Sequence, residues 1–438
     1  MKKEKDGFTS NYGFVLACIG SAVGMGNIWL FPYRVSALGG AAFLIPYIIC
    51  VLLLGYTGVV GEICLGRGMG AGSIGAFSKA FELRGKKYGK YVGLIPTIGS
   101  LAIALGYSVV VAWILKFVFG SISGGALVAG NAGQYFTEVT TGHAILPWHL
   151  VSLGIVFVVM SFGVSKGIEK INKVLTPVFY IMFIFLAVRV AFLPGATQGY
   201  AYLLKPNWSA ILAPNTWVYA LGQAFFSLSL AGSGTVVYGS YMKKDEDVLK
   251  SAKYIILFDT LAGMLAAFVI IPTVFAFGVD PMSGPPLMFI TLPSIFTNMP
   301  MGQIFAIVFF IAVLFAALTS LVNLFETPVE ALEKEFNISR KVSVLVMGVL
   351  AAVISYFIED GAIVSTWMDI VSIYIVPMGA LLAAITVYWV CGKNFARSEA
   401  EIGASKPLGK WFEPMGRYVF VGITIIVYIL GILYGGIG

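Results

Sequence analysis

Charge is scarce in this chain. Asp, Glu, Lys and Arg make up 11% of 438 residues, under half the share of an ordinary soluble domain. A water-soluble globular domain and a charged disordered chain are both excluded. Histidine occurs twice, as His143 and His149. Neither has a Cys or a carboxylate nearby at metal-ligand spacing, so no metal centre of that kind is expected. Phosphate loops, dinucleotide glycine strings and nucleophile elbows are missing as well, which argues against an enzyme. The stretch "GRGMGAGSIG" (66–75) is glycine-rich but has no flanking strand, and it reads as a flexible loop. Cysteine occurs four times, at 18, 50, 64 and 391, always within apolar runs or at their ends. No pair falls in an outer loop, so no disulfide is expected.

What replaces charge is apolar surface. The chain is 59% hydrophobic with a mean hydropathy of +0.91. Runs of the length a membrane helix needs recur near 11–36, 41–66, 91–119, 145–163, 170–193, 214–241, 251–279, 301–330, 342–358, 361–391 and 416–435. These predict an all-α polytopic membrane protein with eleven transmembrane helices. The runs are too long for the strands of a membrane β-barrel. The net charge of +7 does not indicate nucleic acid, because the basic residues alternate with the spans. With the N-terminus inside, Lys2, Lys3, Lys5 and five further clusters place 24 of the 28 Lys and Arg on the cytoplasmic side. This is the positive-inside pattern. An odd number of spans then puts the C-terminus outside, in a multi-pass protein of the cell (inner or plasma) membrane. The basic start with its apolar run reads as a retained first helix rather than a cleaved signal. "NWS" (207–209) fits a glycosylation sequon, with a chance match as the alternative.

The first span contains "SAVGMGNIWLFP" (21–32), which a continuous lipid-embedded helix should avoid. Gly20, Gly24 and Gly26 weaken it, Asn27 puts an amide at depth, and Pro32 lacks a donor. Unsatisfied polar groups in hydrocarbon cost several kcal/mol each, so such a break needs a compensating partner. The sixth span carries a similar small-residue break at Ser229, Ala231, Gly232, Ser233 and Gly234. The two breaks open two successive sets of five helices, and five is odd, so the second set must be inverted. Interrupted helices at matching positions of inverted halves point to the central site of a transporter. Tight helix packing by small residues is the alternative, although packing alone does not need Asn27 or Ser227.

"GSAVGMGNIWLFPY" with "GGAAFLIPYI", then "GQAFFSLSL" (222–230) and "FAALTS" (315–320), closely resemble the first, second, sixth and eighth helices of the neurotransmitter:sodium symporters, the LeuT-like family. The match runs in order along essentially the whole chain. It implies one transporter domain over 1–438: a short cytoplasmic N-terminus (1–10), inverted repeats over 11–193 and 214–391, and a last helix over 416–435. The family commonly has twelve helices, and the eleven here resemble a bacterial branch that transports tyrosine, tryptophan and other hydrophobic amino acids.

The resemblance implies sodium as the coupled ion, in two sites. The first comprises the Ala22 carbonyl, Asn27, Ser227 and Asp259, completed by the substrate carboxylate. The second comprises the carbonyls of Gly20, Val23 and Ala316 with the hydroxyls of Thr319 and Ser320. All are hard oxygens, suited to an alkali ion. Hydroxyls in membrane helices often bond back to their own backbone, so the last two gain meaning only from their context. Tyr107, in "ALGYSVVVAW", matches the tyrosine that holds the substrate carboxylate, with the amides near Gly24 and Gly26 beside it. Ala22, Ile103, Phe226, Ser227, Ser229, Ala231, Gly232, Ser320, Asn323 and Leu324 complete the implied substrate site. Gly232 is expected to leave room for a large side chain, and Asn323 and Ser233 to meet a phenol; a wide apolar pocket with Asn323 facing another helix is the alternative. Asp259 stands where the family usually has asparagine, beside the chloride site of animal relatives, so no chloride requirement is expected. Glu62 is expected to brace the breaks, and Glu326 is read as lining an inner water path. Asp369 matches the outer-gate acid, but its usual arginine partner is Leu30, leaving Arg34 one turn further out. At the inner gate, Lys5 and Phe8 replace Arg and Trp. The implied activity is sodium-coupled symport of a hydrophobic or aromatic amino acid, tyrosine foremost. A sodium-independent exchanger of the same broad fold would not need the two oxygen sets.

Overall fold

The computed structural model describes residues 7–124, 131–278 and 287–437. Lys2, Lys3 and Lys5 lie outside the described residues. Among the described residues every element is helical, and helices fall on each apolar run.

The first run is broken as its composition demands. Helix α1 (Asn11–Ala22) starts at Ser10, whose side chain accepts from the Gly13 amide, and ends where Val23 turns to ψ 106. After Gly24 and Met25 the chain resumes as α2 (Gly26–Ala37), tilted 54° from α1. Its first turn, Gly26–Leu30, is a wide π turn, and Pro32, which has no N–H to donate back to that turn, follows just beyond it.

The chain continues through α3 (Ala41–Met69), α4 (Ser73–Glu82), α5 (Gly89–Ser123), α6 (Ala132–Thr140), α7 (Leu146–Ser161) and α8 (Val164–Ala191). Short helices α9 (Ala196–Leu204) and α10 (Trp208–Ile211) lead to α11 (Pro214–Ser227) and α12 (Gly234–Tyr241). Then come α13 (Val248–Ala276), α14 (Leu287–Thr297) and α15 (Gly302–Glu335), α16 (Arg340–Tyr356), α17 (Gly361–Val390), α18 (Phe395–Glu401) and α19 (Phe412–Leu433). Seven of these (α3, α5, α8, α13, α15, α17 and α19) are long and apolar enough to cross a membrane, and the bent pair α1–α2 makes an eighth. Outward faces of α8, α16 and α19 are apolar: Ile181, Val188, Leu345, Val353 and Leu433 are all more than half exposed. That is the surface hydrocarbon would cover.

Helix α8 starts six residues before the expected 170. The charges that suggested a loop are neutralised: Glu169 is buried and accepts from the amide and hydroxyl of Thr9 and from Ser10. It also pairs with Lys173 one turn on.

Two breaks meet at the centre. Helix α1 packs against α8, α13 and α15. In the second broken pair, α11 packs on the first half of α3 and α12 on its second half. Between them, Ser229 (φ 52) and Gly232 (φ 67) take left-handed backbone conformations. For Ser229 that is costly for an L side chain, so the break is fixed by its surroundings. The Gly232 amide donates to Glu62 Oε1 at 2.7 Å, and the Gly232 carbonyl accepts from Ser73 Oγ at 3.0 Å. Glu62 thus braces the second break.

Candidate functional site

The two breaks line a cavity of about 840 Å³. Its floor is built from Ala22, Gly24, Met25 and Gly26 of the first break and Phe226, Ser229, Leu230, Ala231, Ser233 and Gly234 of the second. Helix α5 adds Ile103 and Tyr107, and α15 adds Ser320, Asn323 and Leu324. The Tyr107 hydroxyl accepts from the Met25 amide at 3.3 Å, a donor freed by the break. The cavity continues past Tyr33, Arg34 and Asp369 to Thr140, Asp360 and Gly361.

Two residues expected in the substrate pocket do not line it. Ser227 points away, donating to Asp259 Oδ2 at 2.7 Å. Gly232 turns the other way: a Cβ built on it would lie 2.6 Å from the Gly379 carbonyl oxygen and 2.9 Å from Ala383 Cβ. Its positive φ aims any side chain into α17 rather than into the cavity. The expectation that Gly232 sets the pocket's size therefore fails on geometry. Met25 and Ser100, which the sequence reading passed over, line the cavity instead.

Beside the cavity, four oxygens and one amide group form a buried cluster. Asn27 Nδ2 donates to Ser227 Oγ (3.0 Å), the Asp259 carbonyl (3.1 Å) and Asp259 Oδ1 (2.8 Å). Asn27 Oδ1 accepts from the Gly24 amide. Asn27 and Ser227 are each 1% exposed and Asp259 is fully buried. The amide –NH₂ group stands among oxygens that would face a cation. A half-turn of the carboxamide presents Oδ1 to that point instead, and the two orientations are distinguished only by their hydrogen bonds. The oxygen set, with a buried carboxylate, fits a hard monovalent cation.

Of the second expected set, Gly20 and Thr319 are brought together. Gly20 faces Thr319 across the α1–α15 contact, with Thr319 Cβ 3.0 Å from where a Gly20 Cβ would lie. Ser320 Oγ lies 3.1 Å from the corresponding point of Gly24. Thr319 Oγ1 contacts the carbonyls of Phe315 and Ala316 at 3.1 and 3.0 Å. Val23 closes α1 with its amide on Ile19. Sequence reasoning missed Asn172 and Thr176 of α8, both buried, whose side-chain oxygens crowd Gly20.

The gates differ from expectation. Arg34 does not pair with Asp369 among the described residues; its guanidinium lies 4.1 Å above the Tyr219 ring. Glu326, expected on an inner water path, sits in an ion pair. It is fully buried and held by Arg340 through two bonds of 2.8 and 2.7 Å, with Tyr241 donating at 2.8 Å. Phe8 is buried edge-on against Phe14 and Tyr238. All four cysteines are free thiols.

Two broken helices meeting at a central cavity beside buried cation-type oxygens, in a many-helix membrane protein, are the features of a polytopic transporter. The model of the sodium:neurotransmitter symporter family matches residues 5–141 and 138–434. The chain is 34% identical to an uncharacterized sodium-dependent transporter of Bacillus subtilis, YhdH, over 97% of this chain and 98% of that one. It is 31% identical to another of Methanocaldococcus jannaschii, over 97% and 90%. Among solved structures it is similar to MhsT in complex with L-phenylalanine, with 32% identity, a TM-score of 0.87, and 98% and 100% of the two chains covered. The chain belongs to the sodium:neurotransmitter symporter family.

Proposed function

We propose that this protein is a sodium-coupled symporter that carries a hydrophobic or aromatic amino acid into the cell, tyrosine foremost. The observation that carries the reading is the joining of the Asn27–Ser227–Asp259 cluster to the cavity through the first break. Gly24 bonds Asn27 on one side, and Met25 bonds Tyr107 on the other. A substrate carboxylate at Tyr107 then lies next to a sodium held by Ala22, Asn27, Ser227 and Asp259. A second sodium is held by Gly20, Val23, Ala316, Thr319 and Ser320. Each ligand raises the affinity for the other, reciprocally. Membrane potential contributes roughly 2.3 kcal/mol per charge per 100 mV.

The working architecture is a single domain of eleven spans with inverted repeats over 11–193 and 214–391, N-terminus cytoplasmic and C-terminus outside. Arg34 and Asp369, which both line the cavity, gate its outer mouth. The Arg340–Glu326–Tyr241 lock holds the inner end. MhsT, bound to L-phenylalanine, supports the substrate class. Support for tyrosine comes from Asn323, a polar side chain that lines the cavity and neighbours the Tyr238 hydroxyl. A substrate phenol would bond to that amide. Buried polar groups of this kind discriminate strongly against analogues lacking the hydroxyl.

The test is uptake of labelled amino acids into proteoliposomes with and without an inward sodium gradient. Uptake requires the gradient, and tyrosine out-competes phenylalanine and leucine. Equal uptake in sodium and potassium removes the coupling. Equal competition by leucine removes phenol recognition and leaves a broad hydrophobic specificity.

A further inference from the structure

One polar cluster lies outside the two ion sets. Glu359, in the turn between α16 and α17, is fully buried and is flanked by both histidines of the chain. Its Oε1 lies 2.7 Å from His149 Nδ1, and its Oε2 lies 3.1 Å from His143 Nδ1. His149, 1% exposed, reaches on through Nε2 to Ser108 Oγ at 2.8 Å. Ser108 follows Tyr107 on α5. His143 is 48% exposed and stacks flat on Tyr356 at 4.1 Å.

Proton counting restricts the cluster. The Ser108 hydroxyl has one hydrogen and two short contacts, His149 Nε2 and the Leu105 carbonyl at 2.7 Å. If the hydrogen goes to Leu105, Nε2 must donate to Ser108. With Nδ1 facing an ionised Glu359, His149 then carries both ring protons. If the hydrogen goes to His149, Nε2 accepts, and the ring keeps only its Nδ1 proton. The cluster therefore has two states that differ by one proton and by a turn of the Ser108 hydroxyl. No heavy atom needs to move.

The other charges nearby have partners of their own. On α5 the nearest cation, Lys116, faces Trp148 at 5.0 Å. Asp360 accepts from the amides of Gly142 and Ala362 and also acts on His143 by its charge, attracting the protonated form of that outer ring. Glu138, on α6, accepts from Gln134. The acidic residues of α15 begin at Glu326, which is tied to Arg340 at the opposite end of α16. From α16 itself the group facing the cluster is Tyr356.

We infer that His149 and Glu359 form a proton-binding site, reached from the outer face through His143, that couples external pH to the substrate site. The orientation and the substrate rest on the reading above. The readout is short: Ser108 adjoins Tyr107, and the same turn supplies Asp360 and Gly361 to the cavity wall. With the extra proton, a charged donor ties α7 and the α16–α17 turn to α5 and pre-organises the site.

Two measurements test this. The chain has two histidines, so ring-¹⁵N-labelled protein in micelles, carrying a histidine-free tag, gives two resolvable rings. At pH 6.5, His149 shows two ring N–H signals, and in Glu359→Gln it shows one. A single ring N–H in the unmodified protein overturns the site, even if the variant does not fold. In proteoliposomes, the KM for labelled phenylalanine is at least threefold lower at external pH 6 than at pH 8, and Glu359→Gln removes the difference. A flat profile, or the same profile in the variant, overturns the coupling. Absence of phenylalanine transport at either pH refutes the transport reading and the coupling that rests on it, while the ring protons still decide the site.

Discussion

Asn27→Ala separates the sodium reading from a purely structural one. Asn27 is 1% exposed and has two roles in the cluster. Without sodium, its Nδ2 donates to Ser227 and Asp259, the closest contact being 2.8 Å. Removing it leaves a buried carboxylate short of a donor, which costs about 1–3 kcal/mol of stability whatever the salt. With sodium, its Oδ1 is a cation ligand. Polar interactions with a charge contribute about 1.5–3 kcal/mol, a loss of roughly 10- to 150-fold in affinity at 1.4 kcal/mol per decade.

The two effects separate in a thermal unfolding assay run in sodium and in potassium chloride at equal ionic strength. At a sodium concentration about 100 times Kd, the unmodified protein gains about 2.7 kcal/mol from binding. A variant about a hundredfold weaker gains about 0.4 kcal/mol at the same concentration. Asn27→Ala is therefore expected to melt lower in potassium and to lose most of its sodium increment. If the melting point falls but the sodium increment is unchanged, Asn27 is only a packing and hydrogen-bonding residue, and the first ion site is wrongly assigned.

Replacing Thr319 and Ser320 together by alanine should weaken sodium-dependent substrate binding at least about tenfold, the effect of one lost charge–dipole contact; unchanged sodium titration of binding would remove the second site. Gly232→Ala should lower stability by about 1–3 kcal/mol, because the new Cβ meets the Gly379 carbonyl in a left-handed backbone. Its measure is the melting point, and a neutral result would mean the break can re-route. Uptake should be indifferent to replacing chloride by gluconate, since Asp259 supplies a fixed negative charge. Asp259→Asn should gain a chloride requirement or lose uptake, and chloride-dependent uptake by the unmodified protein would contradict the assignment.

The helices and both breaks were legible because they rest on local signals. A long apolar run has few alternatives in lipid, and Gly24, Gly26, Asn27 and Pro32 cannot together sustain an unbroken one. The oxygen clusters were legible only through resemblance, since Ser227 and Asp259 are 32 positions apart and Asn27 lies 200 positions from Ser227. The His149–Glu359 pair spans 210 positions and follows no motif spacing, so no local reading could find it. Arg34 was placed by counting helical turns. The turn count missed Tyr219, whose ring face competes for the guanidinium.

The sign of Gly232's φ changes where specificity can reside. Its amide and carbonyl are both held, by Glu62 and Ser73, and its absent side chain points at α17. The second break is thus held as a rim, and the pocket's size is set by other side chains. The lining includes the apolar Ile103, Leu324 and Val376 and the polar Ser100 and Asn323. Apolar walls separate leucine, phenylalanine and tyrosine only modestly, since an added or missing apolar group changes binding by about 1–3 kcal/mol, less than a polar group left unpaired. The single amide is the polar exception. Its carboxamide packs against α12, with Oδ1 2.0 Å from where a Gly234 Cβ would stand and the Tyr238 hydroxyl beside it. A phenol that reaches the amide would bond to it, whereas an apolar ligand would not. On the proposed reading, discrimination between tyrosine and phenylalanine rests on Asn323, not on the volume left by Gly232.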